Sequence, residues 1–271
     1  MEDLFLERLS DPLSVAVAER DRQTLDLVAE ALRVRRVMLA FQPVVMASNP
    51  ARIAFYEGLI RIVDDTGRVV PAREFMGAVE TRELGRMIDC ASLEMGLAAL
   101  AEVPTLRLAI NMSARSIGFP RWHKTLDQGL AQDPTVGERL ILEITESSAM
   151  QKPELVTGFM GDLQRRGIAF ALDDFGAGYT AFRYFREFFF DVLKIDGQFI
   201  RGIASDPDNQ ALTRALVSIG QHFDMLTVAE SVESAADADW LRAAGVDCLQ
   251  GYFYGMPTVN PAWKQPKRRQ A

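Results

Sequence analysis

Three observations make the sequence read as one α/β domain, a (β/α)8 TIM-like barrel with a leading N-terminal helix. Eight short β-rich runs alternate with segments of helical period, the count that such a barrel requires. On strand after strand a polar residue stands near the C-terminal end, the end at which barrel enzymes hold their sites. With 271 residues, 48% of them hydrophobic, the chain suffices for one full core. A doubly wound open sheet is the rival, but that fold more often carries its ligand on glycine-rich turns near its first strand.

Taken in order, residues 1–36 form a helical lead-in whose helix covers 12–36. The barrel spans 37–260. Its expected strands are 37–45 (VMLAFQPVV), 53–62 (IAFYEGLIRI), 106–113 (LRLAINMS), 139–146 (RLILEITE), 168–174 (IAFALDD), 191–196 (DVLKID), 225–231 (MLTVAES) and 246–252 (VDCLQGY). Residues 74–100 carry a helical pattern with a break near Gly85. In 209–223, Leu212, Leu216, Ile219 and Phe223 fall on one stripe at three- and four-residue spacing. Phe188, Phe189 and Phe190 read as core, and Cys248 as a small buried filler. Residues 261–271, PAWKQPKRRQA, read as a frayed basic tail.

Thirty basic against thirty-seven acidic side chains leave a net charge of −7. That argues against a polymeric nucleic acid as partner, since binding its backbone takes a basic face. Two cysteines suggest no disulfide framework and a reducing, cytoplasmic setting. No stretch is long enough to span a bilayer. An origin within a larger regulatory protein stays open.

Side chains alternate across a strand. Asp173 therefore shares a face with Ala171 and Ala169, Glu57 with Phe55 and Arg61, and Asn111 with Ala109. By the same rule Glu143 joins Ile141, Lys194 joins Val192, Glu230 joins Val228 and Gln250 joins Cys248. If these faces point inward, Glu57, Glu143, Asp173, Asp174 and Glu230 crowd one mouth. Two like charges 4 Å apart repel by about 4 kcal/mol at an effective dielectric near 20. Lys194 and Arg61 offset part of this, and divalent cations are the remedy for the rest. An all-oxygen set with one Asn amide suits Mg2+ or Mn2+, and Ca2+ can occupy such sites. His123 and His222 stand outside every strand tip, which weakens any histidine-based metal site or triad. Adjacent aspartates fit two metals about 4 Å apart, the arrangement for in-line attack on a phosphodiester.

Each residue also has a plainer reading. The paired aspartates could form a solvated turn with a helix N-cap. Lys194 could be an ordinary strand-end lysine, and Asn111 could cap the turn after its strand.

Seven ordered motifs weigh against those readings: FYEGLIR, INMS, LEITES, DDFGAGYT, LKIDGQFI, VAESVES and VDCLQGY. Together, from about Phe41 to Pro257, the chain resembles the EAL family of cyclic di-GMP phosphodiesterases. The resemblance implies a barrel that hydrolyses one phosphodiester of cyclic di-GMP to linear 5′-pGpG with two Mg2+ or Mn2+ ions. Glu57, Asn111, Glu143 and Asp173 then hold one metal, while Asp173, Asp174 and Glu230 hold the second. Lys194 and Gln250 stand near the attacking water, and Gln42 and Arg61 contact substrate. Glu146 has the opposite parity to Glu143 and holds the loop FGAGYT, which lies near the family's homodimer contact. Calcium is expected to inhibit, because it tolerates looser geometry than Mg2+.

The chain departs from the family pattern at Gly58, where Ala is usual, at Ile62 in place of Trp, and at Ser231 in place of Gly. None of these removes a ligand. A catalytically weak receptor for cyclic di-GMP is the alternative, and an unrelated metal phosphoesterase on the same fold is a third reading.

Overall fold

The structure is a computed structural model that describes residues 12–176 and 187–264. The leading helix is present as α1 (Pro12–Arg33), its C-terminal half packed on the barrel through Val28 and Ala31. Next come β1 (Val37–Met46) and β2 (Asn49–Val63), then a short strand β3 (Val69–Pro71), which the sequence reading did not anticipate. Helices α2 (Met76–Val79) and α3 (Glu83–Glu102) lead into β4 (Leu108–Asn111). After α4 (Pro120–Gln132), strand β5 (Leu140–Thr145) runs into α5 (Glu146–Gln151) and α6 (Pro153–Gln164). Strands β6 (Ala169–Phe175) and β7 (Val192–Ile195) precede α7 (Pro207–His222), β8 (Leu226–Ala229), α8 (Ala235–Ala243) and β9 (Cys248–Gln250).

The strands close a ring in the order β1, β9, β8, β7, β6, β5, β4, β2, with β2 returning to β1 and β3 lying outside on β2. From β2 onward the ring strands are parallel, whereas β1 is antiparallel to both neighbours. The cause is local. Only Ala47 and Ser48 separate β1 from β2, and so short a connection can join antiparallel strands but not parallel ones.

The break expected near Gly85 is present at 80–82, with Gly85 itself in the first turn of α3. A Cβ there would stand 2.8 Å from the Glu80 carbonyl, so glycine lets the two helices fold tightly together. On α7 the buried face is Thr213, Leu216, Val217 and Gly220, while Leu212 is 50% exposed and Phe223 37%. Gly220 presses directly onto Thr227 of β8, and this close approach turns the apolar stripe away from the expected one. Phe188 and Phe190 are buried as expected, but Phe189 is 71% exposed.

Inside the barrel, Val44, Phe55, Ala109, Ile141, Ala171, Val192, Val228 and Cys248 form one apolar layer, a residue from each ring strand. Two positions further toward the mouth stand Gln42, Glu57, Asn111, Glu143, Asp173, Lys194, Glu230 and Gln250. Because β1 runs backwards, Gln42 precedes its apolar partner where the others follow theirs. The site is therefore a polar layer resting on a dry floor.

Past β9 the chain recrosses β1. Thr258 and Phe41 exchange backbone hydrogen bonds of 2.8 and 3.1 Å, and Ala262–Lys264 form a short 3-10 turn. Residues 261–264 are thus packed rather than frayed, while the rest of the expected tail lies outside the described residues. No helix among the described residues is long and apolar enough to cross a membrane.

Candidate functional site

Lys194 stands at the centre of the mouth, 1% exposed. Its Nζ lies 2.7 Å from Glu230, 2.9 Å from Asp173, 3.1 Å from Glu143 and 3.5 Å from Glu57. Among the described residues no other Lys or Arg pairs with these carboxylates. Four acids, three on strands and Glu230 one residue past the end of β8, thus converge on one cation.

Asp174 reaches the same mouth by a different route. Strict alternation sends it to the face opposite Asp173. Its backbone is left-handed, φ +55°, and the β6–β7 register slips between Leu172 and Phe175. A bulge of this kind re-aims a side chain, and an Asp tolerates the conformation better than most residues. As a result, oxygens of Asp173, Asp174 and Glu230 all lie within 4.8 Å of one another. The buried Oε1 atoms of Glu143 and Gln250 have no hydrogen-bond partner, and Asp173 Oδ1 has the Lys194 ion pair but no well-aligned hydrogen bond. Orphaned oxygens of this kind, in an all-oxygen donor set, fit hard divalent cations.

Titration follows the same crowding. Burial pushes Glu230 up to about 8, and Asp173 adds to it while Lys194 offsets part. Burial and then the Asp173 charge raise Asp174 to about 6. Glu143 lies well above the usual carboxylate range through burial and the Glu57 charge. Burial also works against ionised Glu57, but Lys194 and hydrogen bonds from Gln250 and Asn111 outweigh it and hold Glu57 low. For Lys194, burial is overcome by the surrounding carboxylates, which lock the ammonium in its charged form.

The amides wire the layer together. Asn111 Nδ2 donates to Glu57 Oε1 at 2.8 Å, and Gln250 Nε2 donates to Glu57 Oε2 at 2.6 Å and to Gln42 Oε1 at 3.2 Å. Gln42 in turn donates to the Gly255 carbonyl at 3.1 Å. Arg61 is half-buried, donates to the Ile60 carbonyl beside it, and is not among the residues lining the central cavity.

Glu146 opens α5, away from the mouth layer, and accepts from the Gly176 N–H at 3.1 Å. The rest of FGAGYT, 177–180, lies outside the described residues. Gly176 has φ +93°, and a Cβ there would fall 2.6 Å from the Phe199 ring. Gly176→Ala is expected to cost about 1–3 kcal/mol of stability, read as a lower midpoint in urea; an unchanged midpoint contradicts the geometry.

The central cavity, about 460 Å3, is lined by Gln42, Glu57, Asn111, Asp173, Glu230 and Gln250, among others. Neither histidine lines it. Asp89, Ser92, Arg201, Glu233 and Tyr252 do; from sequence the charged residues of 74–100 and 232–243 read as solvated faces, which buried Asp89 overturns, and Ser92, Arg201 and Tyr252 were passed over. Asp89 left a readable signal, an acid on the buried face of an apolar helix. It accepts hydrogen bonds from Ser113 N and Ser116 Oγ, and burial raises it to about 7. Arg201 and Glu233 follow strands on loops, where no period marks them.

Comparison with known proteins follows from this geometry. The family model described as EAL domain matches residues 26–257. The chain is 30% identical over 247 residues to the bifunctional diguanylate cyclase/cyclic di-GMP phosphodiesterase MucR of Pseudomonas aeruginosa, which covers 89% of this chain and 36% of MucR. It is 29% identical over 237 residues to the cyclic di-GMP phosphodiesterase PdeF of Escherichia coli K12, covering 86% of this chain and 31% of PdeF. The chain thus spans about a third of the length of these relatives.

Among solved structures, the PaMucR phosphodiesterase in complex with c-di-GMP superposes with a TM-score of 0.76 at 28% identity, covering 89% of this chain and 99% of that one. The FimX EAL domain of Xanthomonas citri in complex with c-di-GMP gives 0.80 at 26%, covering 91% and 98%. With the family match spanning most of the barrel and all eight mouth positions, the chain belongs to the EAL-domain family.

Proposed function

We propose that this chain is a phosphodiesterase that hydrolyses cyclic di-GMP to linear 5′-pGpG. The observation that carries the reading is the convergence of Glu57, Glu143, Asp173 and Glu230 on one point, with Asp174 turned in beside them by its left-handed backbone. Relatives named as cyclic di-GMP phosphodiesterases, and neighbours described as bound to that nucleotide, support the substrate.

Two Mg2+ or Mn2+ ions, held by Glu57, Asn111, Glu143 and Asp173 and by Asp173, Asp174 and Glu230, would polarise the phosphate and lower the pKa of an attacking water. The chain's own groups prepare that chemistry. Lys194 gathers the acids and supplies a fixed positive charge beside the reacting phosphate. Gln250 and Asn111 set the orientation of Glu57, so that it meets its ligand without reorganising. Gln250 also steadies the nucleophile, Gln42 and Arg61 contact the nucleotide, and Glu146 anchors the start of the loop after the paired aspartates. The apolar layer below the mouth keeps water from entering through the barrel floor. Homodimerisation in the cytoplasm, with its contact near the loop FGAGYT, belongs to the same proposal.

Incubating the protein with cyclic di-GMP and Mg2+, with products read by mass spectrometry, is expected to give the linear dinucleotide. Intact nucleotide after long incubation, together with tight binding, makes the chain a receptor instead. Replacing Mg2+ by Ca2+ is expected to suppress turnover, because calcium accepts more ligands at longer and less regular distances. An undiminished rate in calcium contradicts the two-metal arrangement.

A further inference from the structure

We propose that Trp263 is a positioning residue, clamping from outside the barrel the hairpin that carries Gln42 and Glu57; the proposal rests on the metal-site reading above. The family match ends at residue 257, six residues before Trp263.

Gln42 and Glu57 are direct cross-strand partners in the β1–β2 hairpin. Their chain neighbours Phe41 and Tyr56 point the opposite way, out of the barrel. Trp263 meets both edge-on, with ring centroids 5.2 Å from Phe41 and 4.5 Å from Tyr56. Lys264 adds its ammonium 4.9 Å over the Phe41 ring. The Trp263 indole N–H is buried with no acceptor. Burying that donor unpaired is costly, so what holds the ring is its fit against the two aromatics and not a hydrogen bond.

A second connection joins the same strap to the same carboxylate. The Gly255 carbonyl receives Gln42, Gln42 receives Gln250, and Gln250 donates to Glu57. Gly255 has no room for a side chain, since a Cβ would lie 2.8 Å from Pro43. The strap is further pinned by the Phe41–Thr258 backbone pair. Residues 255–264 therefore fix the hairpin on its outer face, by ring packing, and on its inner face, by the amide relay that ends on Glu57. Loosening either should let Glu57 swing while its chemistry stays intact.

The test measures Mn2+ binding by calorimetry on the full chain, well below the melting temperature, beside kcat and KM for cyclic di-GMP. Trp263→Ala is expected to weaken Mn2+ binding roughly tenfold, the low end of what loss of a ligand-orienting group costs, and Trp263→Phe to recover most of it. Gly255→Ala, acting through the relay, should shift binding in the same direction, and it decides the matter if Trp263→Ala does not fold. Phe159→Leu, a core change on α6 remote from the hairpin, should lower Tm with Mn2+ affinity unchanged. If the strap variants lose Tm but bind Mn2+ like wild type, the clamp is merely structural and the proposal falls. Because binding is read without turnover, a wild-type chain that binds Mn2+ but leaves the nucleotide intact overturns the phosphodiesterase reading and not this one.

Discussion

Asp173→Asn is expected to lower kcat/KM for cyclic di-GMP by at least about 100-fold, which is about 2.7 kcal/mol of transition-state stabilisation. The substitution is nearly isosteric, so the barrel should keep its melting temperature to within a few degrees. What changes is charge. Asp173 lies 2.9 Å from Lys194 and shares a cluster with Asp174 and Glu230. It is the one residue common to both proposed ion positions, and a single charge lost at about 4 Å is worth about 4 kcal/mol at an effective dielectric near 20. Glu57→Ala should cost at least as much activity, with an added loss of stability. Its removal leaves the Asn111 amide without the acceptor it now has and Gln250 with Gln42 alone, and an amide left without an acceptor inside the protein costs about 1–3 kcal/mol. Steady-state kinetics and thermal melts on the same preparations separate the two effects. An Asp173→Asn enzyme within tenfold of wild type removes the reason for placing an ion there.

The difference between those two variants reflects what the sequence made legible. Parity along each strand was enough to put Glu57, Asn111, Glu143, Asp173, Lys194, Glu230 and Gln250 on one face, because alternation is a property of the extended backbone and needs no tertiary information. The eight strands followed from the same regularity. What parity could not supply was any departure from it. Asp174 joins the mouth through one left-handed residue, and nothing in the letters DDFG fixes where that kink falls. The reversed direction of β1 depended on how short its connection is: Asn49-Pro50 marks a turn in the sequence, but not that only Ala47 and Ser48 separate the two strands. The stripe on α7 was misjudged for a related reason: size rather than hydrophobicity chose the packed face, with Gly220 and Thr213 inward and Leu212 outward. Trp263 sits beside a run of basic and polar residues, and a lone aromatic has no period to reveal that it folds back onto Phe41 and Tyr56.

Lys194→Met tests the electrostatic balance of the mouth directly. In chelator at about pH 8 the variant should lose about 3–5 kcal/mol of stability, the cost of removing one partner from a buried ion pair. In a domain of this size that shifts Tm by roughly 2–4 °C per kcal/mol. The loss should depend on pH in a defined direction. Glu230 and Asp174 have folded values of about 8 and about 6 against ordinary values of 4.5 and 3.8. Between those limits the folded chain binds more protons than the unfolded one, so stability falls as pH rises. The contribution is complete below about pH 4 and is lost as pH climbs through about 6 and then 8. Wild type in chelator should therefore melt progressively earlier over that window. Without the lysine the fall should be steeper, because Glu57, Glu143, Asp173 and Glu230 lose the cation within 3.5 Å that lets them ionise together. At about pH 5 protonated acids need little counter-charge, and the gap between variant and wild type should narrow. Added Mn2+ at about pH 8 should restore part of the deficit, since a divalent ion bound only to the folded state stabilises it by mass action. A deficit equal at both pH values, and indifferent to Mn2+, means that Lys194 is held by packing of its alkyl chain rather than by the acids around its ammonium.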